Sequence, residues 1–171
     1  MIYVIGLGSN LDSKYGDQYQ TLKKSIDLIK LENIEVMKVS KLYVTEPVGM
    51  TNVNWFLNAA IIISTSLKPK KLIIVLKEIE KKMGREMHKP NTSRPCDLDI
   101  LLSDKNKEIT ILSGKYPITI PHTKLHLRMF VLRPLMDICP EFIHPVFGKT
   151  IKNIISNLNS NEKIDLYNKK L

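Results

Sequence analysis

Arg94-Pro95-Cys96-Asp97-Leu98-Asp99-Ile100-Leu101-Leu102 alternates carboxylate and apolar residues and then turns fully apolar. With a strand period of two, Asp97 and Asp99 point to one face, and Leu98 and Ile100 to the other. Carboxylates two apart on a strand face lie within ~7 Å of each other. Without a partner they repel, and one takes up a proton. A divalent cation removes that conflict, and oxygen-only ligands favour a hard ion such as Mg²⁺, whose shell is usually completed by water and phosphate oxygens. Upstream, Arg85, His88, Lys89 and Arg94 supply groups that hold phosphates. An exposed strand with a solvated aspartate pair is the alternative; the basic loop favours phosphate chemistry.

A chain of 171 residues, 43% hydrophobic and 25% charged, is ordinary globular material with room for one core. No apolar run reaches the ~18 residues of a membrane span. No secretory signal is recognisable and Cys96 and Cys139 have no zinc or redox spacing, so a cytoplasmic protein with free thiols is expected. The net charge of +9 is carried largely by scattered lysines, which read as a solubilising surface rather than a nucleic-acid interface. The four arginines, Arg85, Arg94, Arg128 and Arg133, cluster in sequence, which points to an acidic small ligand.

Ile2 to Leu7 reads as a buried strand ending at Gly8-Ser9-Asn10, either a ligand edge or a turn. Tyr15 to Leu31 has helical spacing. Ile34 to Val44 reads as one strand, followed by a polar loop through Thr45, Glu46, Pro47 and Val48. Asn54 to Ser66 is the next strand, with Phe56 and Asn58 on one face, for a flat heterocycle or for packing and a turn. Pro69 opens a helix that Gly84 stops. Its Glu80 borders the buried face, as a site acid or a salt-bridge partner. Glu108–Leu112 and Lys115–Ile120 look like a hairpin, followed by His122, structural or functional. Leu127 to Ile138 has helical spacing that Pro134 is expected to break into two pieces. Thr150–Leu158 is a short helix, and 159–171 a polar, frayed tail.

This order is the split βαβ arrangement of a ferredoxin-like α+β sandwich, with an antiparallel sheet and helices on one face. A C-terminal hairpin and short helices are added. In that topology the first and last core strands are neighbours in the middle of the sheet. That brings Gly8-Ser9-Asn10 to Asp97 and Asp99.

Gly8-Ser9-Asn10-Leu11, Thr45-Glu46-Pro47-Val48-Gly49, Phe56-Leu57-Asn58-Ala59-Ala60, Gly84-Arg85, Arg94 to Leu101, Ile120-Pro121-His122 and Arg128 to Leu135 stand in the order and near the spacing of one family. The chain resembles the 6-hydroxymethyl-7,8-dihydropterin pyrophosphokinases of folate biosynthesis over residues 1–158, as a single domain. The resemblance implies transfer of pyrophosphate from ATP to the pterin hydroxymethyl group, with AMP released by a monomer that needs neither nucleic acid nor membrane. It implies two Mg²⁺ ions held by Asp97 and Asp99, with Arg85 and Arg94 in the catalytic set. Pterin contacts fall on Thr45, Pro47, Val48, Phe56, Asn58 and Phe130. ATP contacts fall on Glu80, Arg85, Arg94, Ile100, His122 and Arg128. Residues 85–95 are expected to form a lid over ATP. The chain departs from the family at Lys89-Pro90-Asn91-Thr92-Ser93, which lacks the usual Trp and Gly-Pro, and at Thr123, where a Tyr is common. Two other readings remain open, a nucleotidyltransferase and an RNA-binding module, although the latter's aromatic signature is absent.

Overall fold

The computed structural model describes residues 1–49, 52–86, 92–105 and 107–171. The chain runs β1 (Ile2–Ser9), α1 (Gln18–Leu31), β2 (Glu35–Val39), β3 (Leu42–Thr45), β4 (Phe56–Ser64), α2 (Pro69–Lys82), β5 (Asp97–Ser103), β6 (Ile109–Ile111), β7 (Ile118–Ile120), α3 (Met129–Ile138), α4 (Ile151–Ser156) and β8 (Ile164–Tyr167). A 3₁₀ turn, Leu125–Leu127, precedes α3. Among the described residues the main sheet has the order β5-β1-β4-β3-β8, with β2 also paired to β4, and β6 and β7 form a separate hairpin. All of its pairings are antiparallel.

The alternation of β1 explains the layers. Tyr3, Ile5 and Leu7 point to one face and pack with Leu22, Ile26 and Ile29 of α1 and Leu72, Leu76 and Ile79 of α2. Val4 points to the other face and meets Ala60, Leu101, Leu102, Leu132, Leu135 and Ile151. Helices therefore cover both faces, not the single face expected, because α3 and α4 fold back across the sheet. The apolar run Ala59 to Ile63 in β4 is the sequence mark of this two-sided burial.

Several boundaries differ from the sequence expectation. The first helix starts at Gln18, not Tyr15. Asp17 caps it, accepting from the Gln20 amide at 2.8 Å, while the Gln20 side chain accepts from the Asp17 amide at 2.9 Å. The segment 34–44 is two strands, separated at Ser40 and Lys41. Ser40 turns its hydroxyl onto the Ala60 amide at 2.9 Å, replacing a ladder bond. α3 is one helix with Pro134 inside it. The bond that Pro134 cannot donate would fall near the helix start, and burial of Leu132, Leu135 and Ile138 outweighs that loss. The tail is not frayed throughout: Ile164 to Tyr167 pairs with β3. β5 neighbours β1 as expected, but lies at the end of the sheet order.

Leu132 is fully buried on the α3 face, whereas Leu127 is 57% exposed. Leu132→Ala should cost about 2–4 kcal/mol and Leu127→Ala no more than about 0.5 kcal/mol. Urea unfolding of both variants checks this; equal losses would contradict the two-faced core.

Candidate active site

On the face opposite α1 and α2, the sheet is left open between α3 and the end of β5. The cleft there offers about 870 Å³ of space open to solvent. It is lined by Gly6 and Gly8 of β1, Phe56 and Asn58 of β4, Asp97 and Asp99 of β5, and by Thr45, Glu46, Val48, Arg94, His122, Arg128, Phe130 and Val131. Register explains the floor. Gly8 pairs with Asp97, and Gly6 with Asp99, so each carboxylate sits beside a position without a side chain. A Cβ at Gly8 would come 3.0 Å from Asn58 Oδ1 and 3.7 Å from Asp97 Cβ.

The two aspartates share a face but not an environment. Asp97 takes both Arg94 Nε, at 2.7 Å, and a guanidinium nitrogen of Arg85. Burial alone would raise its carboxyl, but Arg94 and Arg85 outweigh burial and hold it below the ordinary carboxylate range. Asp99 has a side chain 38% exposed and a longer contact, 3.4 Å, from Lys77 Nζ. Asp99 is thus the more accessible oxygen donor of the pair.

Behind β5 lies a layer of buried charge. Glu80 is fully buried, and its Oε1 accepts from Lys77 Nζ at 2.7 Å and from the Leu98 amide at 2.6 Å, and pairs with Arg85 at 2.7 Å. Its Oε2 has no hydrogen-bond partner among the described residues. Lys77 also donates to the Leu98 carbonyl at 3.1 Å, so it reaches past the edge of β5 towards the open face. Burial disfavours charge on Lys77, but Asp99 and Glu80 reverse that and raise its pKa.

The loop before β5 is held by Asn10, which is itself buried. The Asn10 amide donates to the Arg94 carbonyl at 3.1 Å, the Arg94 amide donates to Asn10 Oδ1 at 2.7 Å, and Asn10 Nδ2 donates to Ser93 Oγ at 3.0 Å. Gly8-Ser9-Asn10 is thus both edge and clamp: Gly8 opens the floor and Asn10 aims Arg94. Arg94 stands over the Phe56 ring at 5.3 Å, and Arg128 over the Phe130 ring at 5.5 Å. Asn58 Nδ2 donates to Thr45 Oγ1 at 2.7 Å, which fixes the amide's orientation. His122 Nδ1 accepts from the Lys124 amide at 3.2 Å. Burial, helped by Arg128, holds its pKa below 6.5 against Asp99 and Asp97. In the neutral ring the proton is then on Nε2, which can donate.

Of the residues singled out in sequence, Thr45, Val48, Phe56, Asn58, Arg94, Asp97, Asp99, His122, Arg128 and Phe130 meet in this cleft; Pro47, Glu80, Arg85 and Ile100 are not among its lining. Arg85 lies behind Asp97 and binds it. Ile100 and Glu80, expected among the ATP contacts, have their side chains away from the cleft. Ile100 is buried in the core shared with α2, which leaves only its backbone groups for a ligand. Among the described residues Glu80 reaches the site through Arg85, Lys77 and the Leu98 amide. His88 and Lys89, in the centre of the expected lid, lie outside the described residues. Lys77 escaped the sequence reading because a helix lysine looks like surface; its place three residues before Glu80 was the available signal.

Residues 4–140 match the model of the 7,8-dihydro-6-hydroxymethylpterin-pyrophosphokinase family. The chain belongs to that family. A pyrophosphokinase of Aquifex aeolicus is 34% identical over 148 residues, covering 86% of each chain. The Bacillus subtilis pyrophosphokinase is 36% identical, covering 82% of this chain and 79% of its own. A folate synthesis bifunctional protein of Arabidopsis thaliana is 46% identical over 136 residues. The chain spans about a quarter of that protein's length (26%) and a fifth (20%) of a Pneumocystis carinii folic acid synthesis protein. The Plasmodium falciparum HPPK-DHPS structure has a TM-score of 0.71 over 91% of this chain and 42% of its own, at 17% identity, which shows a shared fold. The pyrophosphokinase family match thus contains every cleft-lining residue and stops short of β8.

Burial pushes the Glu80 carboxyl up to about 7 from 4.5, against the opposing pull of Lys77 and Arg85. Between those values the folded chain keeps the proton and the unfolded chain does not. Stability relative to Glu80→Gln should therefore be greatest below pH 4.5 and fall as pH rises to about 7, by on the order of 3 kcal/mol. Urea unfolding of both proteins across that window tests the sign; a difference independent of pH would mean that Lys77 and Arg85 cancel burial, and one that rises with pH that they outweigh it.

Proposed function

We propose that this chain transfers the pyrophosphoryl group of ATP to the hydroxymethyl oxygen of 6-hydroxymethyl-7,8-dihydropterin, releasing AMP, as a step of folate synthesis. The observation that carries the reading is the meeting, in one cleft, of two aromatic side chains, Phe56 and Phe130, with the paired carboxylates Asp97 and Asp99, the guanidinium groups of Arg94 and Arg128, and the imidazole of His122. A flat heterocycle fits the first set and a magnesium triphosphate the second.

Phe56 and Phe130 stack on the pterin, and Asn58, held by Thr45, reads its edge, with the backbone of 45–48 beside it. Arg94, Arg128 and the Nε2–H of His122 hold phosphate oxygens. Arg85 keeps Asp97 ionised and in place from behind. The hydroxymethyl oxygen forms a bond to the β-phosphorus of ATP, the bond from that phosphorus to the oxygen bridging the α-phosphate breaks, and the hydroxyl proton leaves to solvent. Holding both substrates in one geometry supplies much of the acceleration.

The donor set fits Mg²⁺. Among the described residues there is no cluster of three or more His, Cys, Asp or Glu side chains. Asp97 and Asp99 together are the one or two carboxylates that Mg²⁺ takes when phosphates and water complete its shell, and both line the solvent-open cleft. When bound, two such ions would be held by Asp97 and Asp99 and would neutralise charge on the attacking and leaving oxygens.

The antiparallel order with two helices on the β1/β4 face supports a ferredoxin-like description of the fold, with α3, α4 and β8 as additions. No helix among the described residues is long and apolar enough to cross a membrane. The free Cys96 and Cys139 suit a cytoplasmic setting.

Assaying AMP formation from ATP and Mg²⁺, with and without the hydroxymethyl pterin, tests the reading directly. Pterin-dependent AMP is expected, whereas pyrophosphate release would indicate nucleotidyl transfer. Asp97→Asn and Asp99→Asn should each lower turnover at least about 100-fold. Asp97→Asn should also lower the melting temperature, because it removes the carboxylate charge that Arg85 and Arg94 share, while Asp99→Asn leaves it nearly unchanged; full activity in either variant would remove the metal assignment.

Phe56→Ala and Phe130→Ala should weaken pterin binding by about 1–3 kcal/mol with much smaller effects on ATP. Calorimetry with each ligand separates the two, and equal losses would point to a packing role instead.

A further inference from the structure

The segment after residue 158 lies beyond both the sequence resemblance and the family match at 4–140, yet it touches both sides of the pterin half of the cleft. β8 pairs with β3, placing Ile164 opposite Thr45 and Asp165 opposite Val44. One residue further into the cleft loop, the Glu46 amide donates to the Lys163 carbonyl at 3.1 Å. The next residue back, Glu162, crosses to the other wall, where its Oε2 accepts from the Phe130 amide at 3.3 Å. The Glu162 backbone is fixed in turn, its amide donating to Ser160 Oγ at 3.2 Å. At the far end of the segment the Tyr19 hydroxyl donates to the Lys170 carbonyl at 2.8 Å, which ties the tail to α1.

The Phe130 contact answers a need of α3. The first amides of a helix have no partner within it. The N-cap of α3 is Arg128, which makes no side-chain cap bond. Glu162 supplies an acceptor from outside the helix, and its negative charge suits the positive end of the helix dipole. Phe130 is the second residue of α3, so the amide that Glu162 holds belongs to the very residue whose ring lines the cleft.

The contacts are one-sided. β8 and β5 stand at opposite ends of the main sheet. Asp97 and Asp99 lie on β5, Arg94 just before it and His122 after β7, and none of them meets the tail in the contacts above. Thr45, Glu46 and Phe130 do.

We propose that Glu162, together with the strand that follows it, is a positioning element for the pterin pocket, setting the spacing between the 45–48 loop and Phe130 without touching the substrate. The inference rests on the pyrophosphokinase reading, since it takes the ligand between those walls to be a pterin. It predicts a loss confined to one substrate. Glu162→Ala should raise the Kd and KM for the hydroxymethyl pterin about 3- to 10-fold, the size expected for one charge-assisted cap. The Kd for a non-hydrolysable Mg²⁺–ATP analogue should change less than about 2-fold, and kcat should fall less than KM rises. Glu162→Gln keeps an acceptor oxygen at the same reach and should restore most of the pterin affinity. Glu162→Ser is too short to reach Phe130, and gives the same comparison if the alanine variant is unstable.

The experiment is calorimetry on the full chain, with 6-hydroxymethylpterin titrated in the presence and absence of the ATP analogue, and with melting temperatures measured in parallel. Selective pterin loss restored by Gln is the expected result. Unchanged pterin affinity in the alanine or serine variant, equal loss for both ligands, or a loss that Gln does not restore would each overturn the positioning role while leaving the pyrophosphokinase reading intact. Failure of the unaltered chain to bind pterin under either condition would overturn both.

Discussion

Two carboxylates on the open face of one strand repel each other, and the site is organised around that conflict. Asp97 is neutralised within the protein by Arg85 and Arg94, whereas Asp99 faces the cleft with, among the described residues, a 3.4 Å contact from Lys77. The consequence is an asymmetric pair: one carboxylate is locked and kept ionised, the other is available. The counter-charges come from three different pieces of chain: the α2 helix carries Lys77, its C-terminal exit carries Arg85, and the loop clamped by Asn10 carries Arg94. Breaking any of these strands an uncompensated charge beside β5. Glu80 joins two of them from below and also holds the Leu98 amide, so the strand carrying the aspartates is pinned through the same buried carboxylate.

The cleft itself follows from incomplete coverage. α1 and α2 close one face of the sheet, while α3 and α4 close only part of the other. Where α3 begins, its first turn brings Phe130 to the rim, and the glycines at positions 6 and 8 keep the floor flat. Both aromatic walls carry a guanidinium over the ring in this structure. Arg94 and Arg128 therefore join the aromatic walls of the cleft to its cationic groups.

The two halves of the cleft are supported from opposite ends of the sheet. β5 and its charged layer support the carboxylate side, and β3 with β8 supports the aromatic side. β1 and β4 run between them and contribute Gly6, Gly8, Phe56 and Asn58 to the shared floor.

The sequence by itself determined most of the core elements and ten of the cleft residues, because both are written in local patterns. Strand alternation puts Asp97 and Asp99 on one face, Pro69 and Gly84 bracket α2, and the spaced segments from Gly8 to Leu135 mark the family. Other features depend on contacts between distant residues, which local patterns do not encode. Ser40 splits one apparent strand because its hydroxyl reaches Ala60; Pro134 stays inside α3 because the sheet buries the helix; and the polar tail becomes a strand because β3 offers it an unpaired edge. The same holds in the site. Only the packing of α2 against β5 shows that Lys77 reaches Asp99, that Glu80 is buried beneath the site instead of lining it, and that the Ile100 side chain faces the core. Ionic partners 20 or more residues apart leave no periodic mark in the chain; they are selected by which faces the sheet brings together.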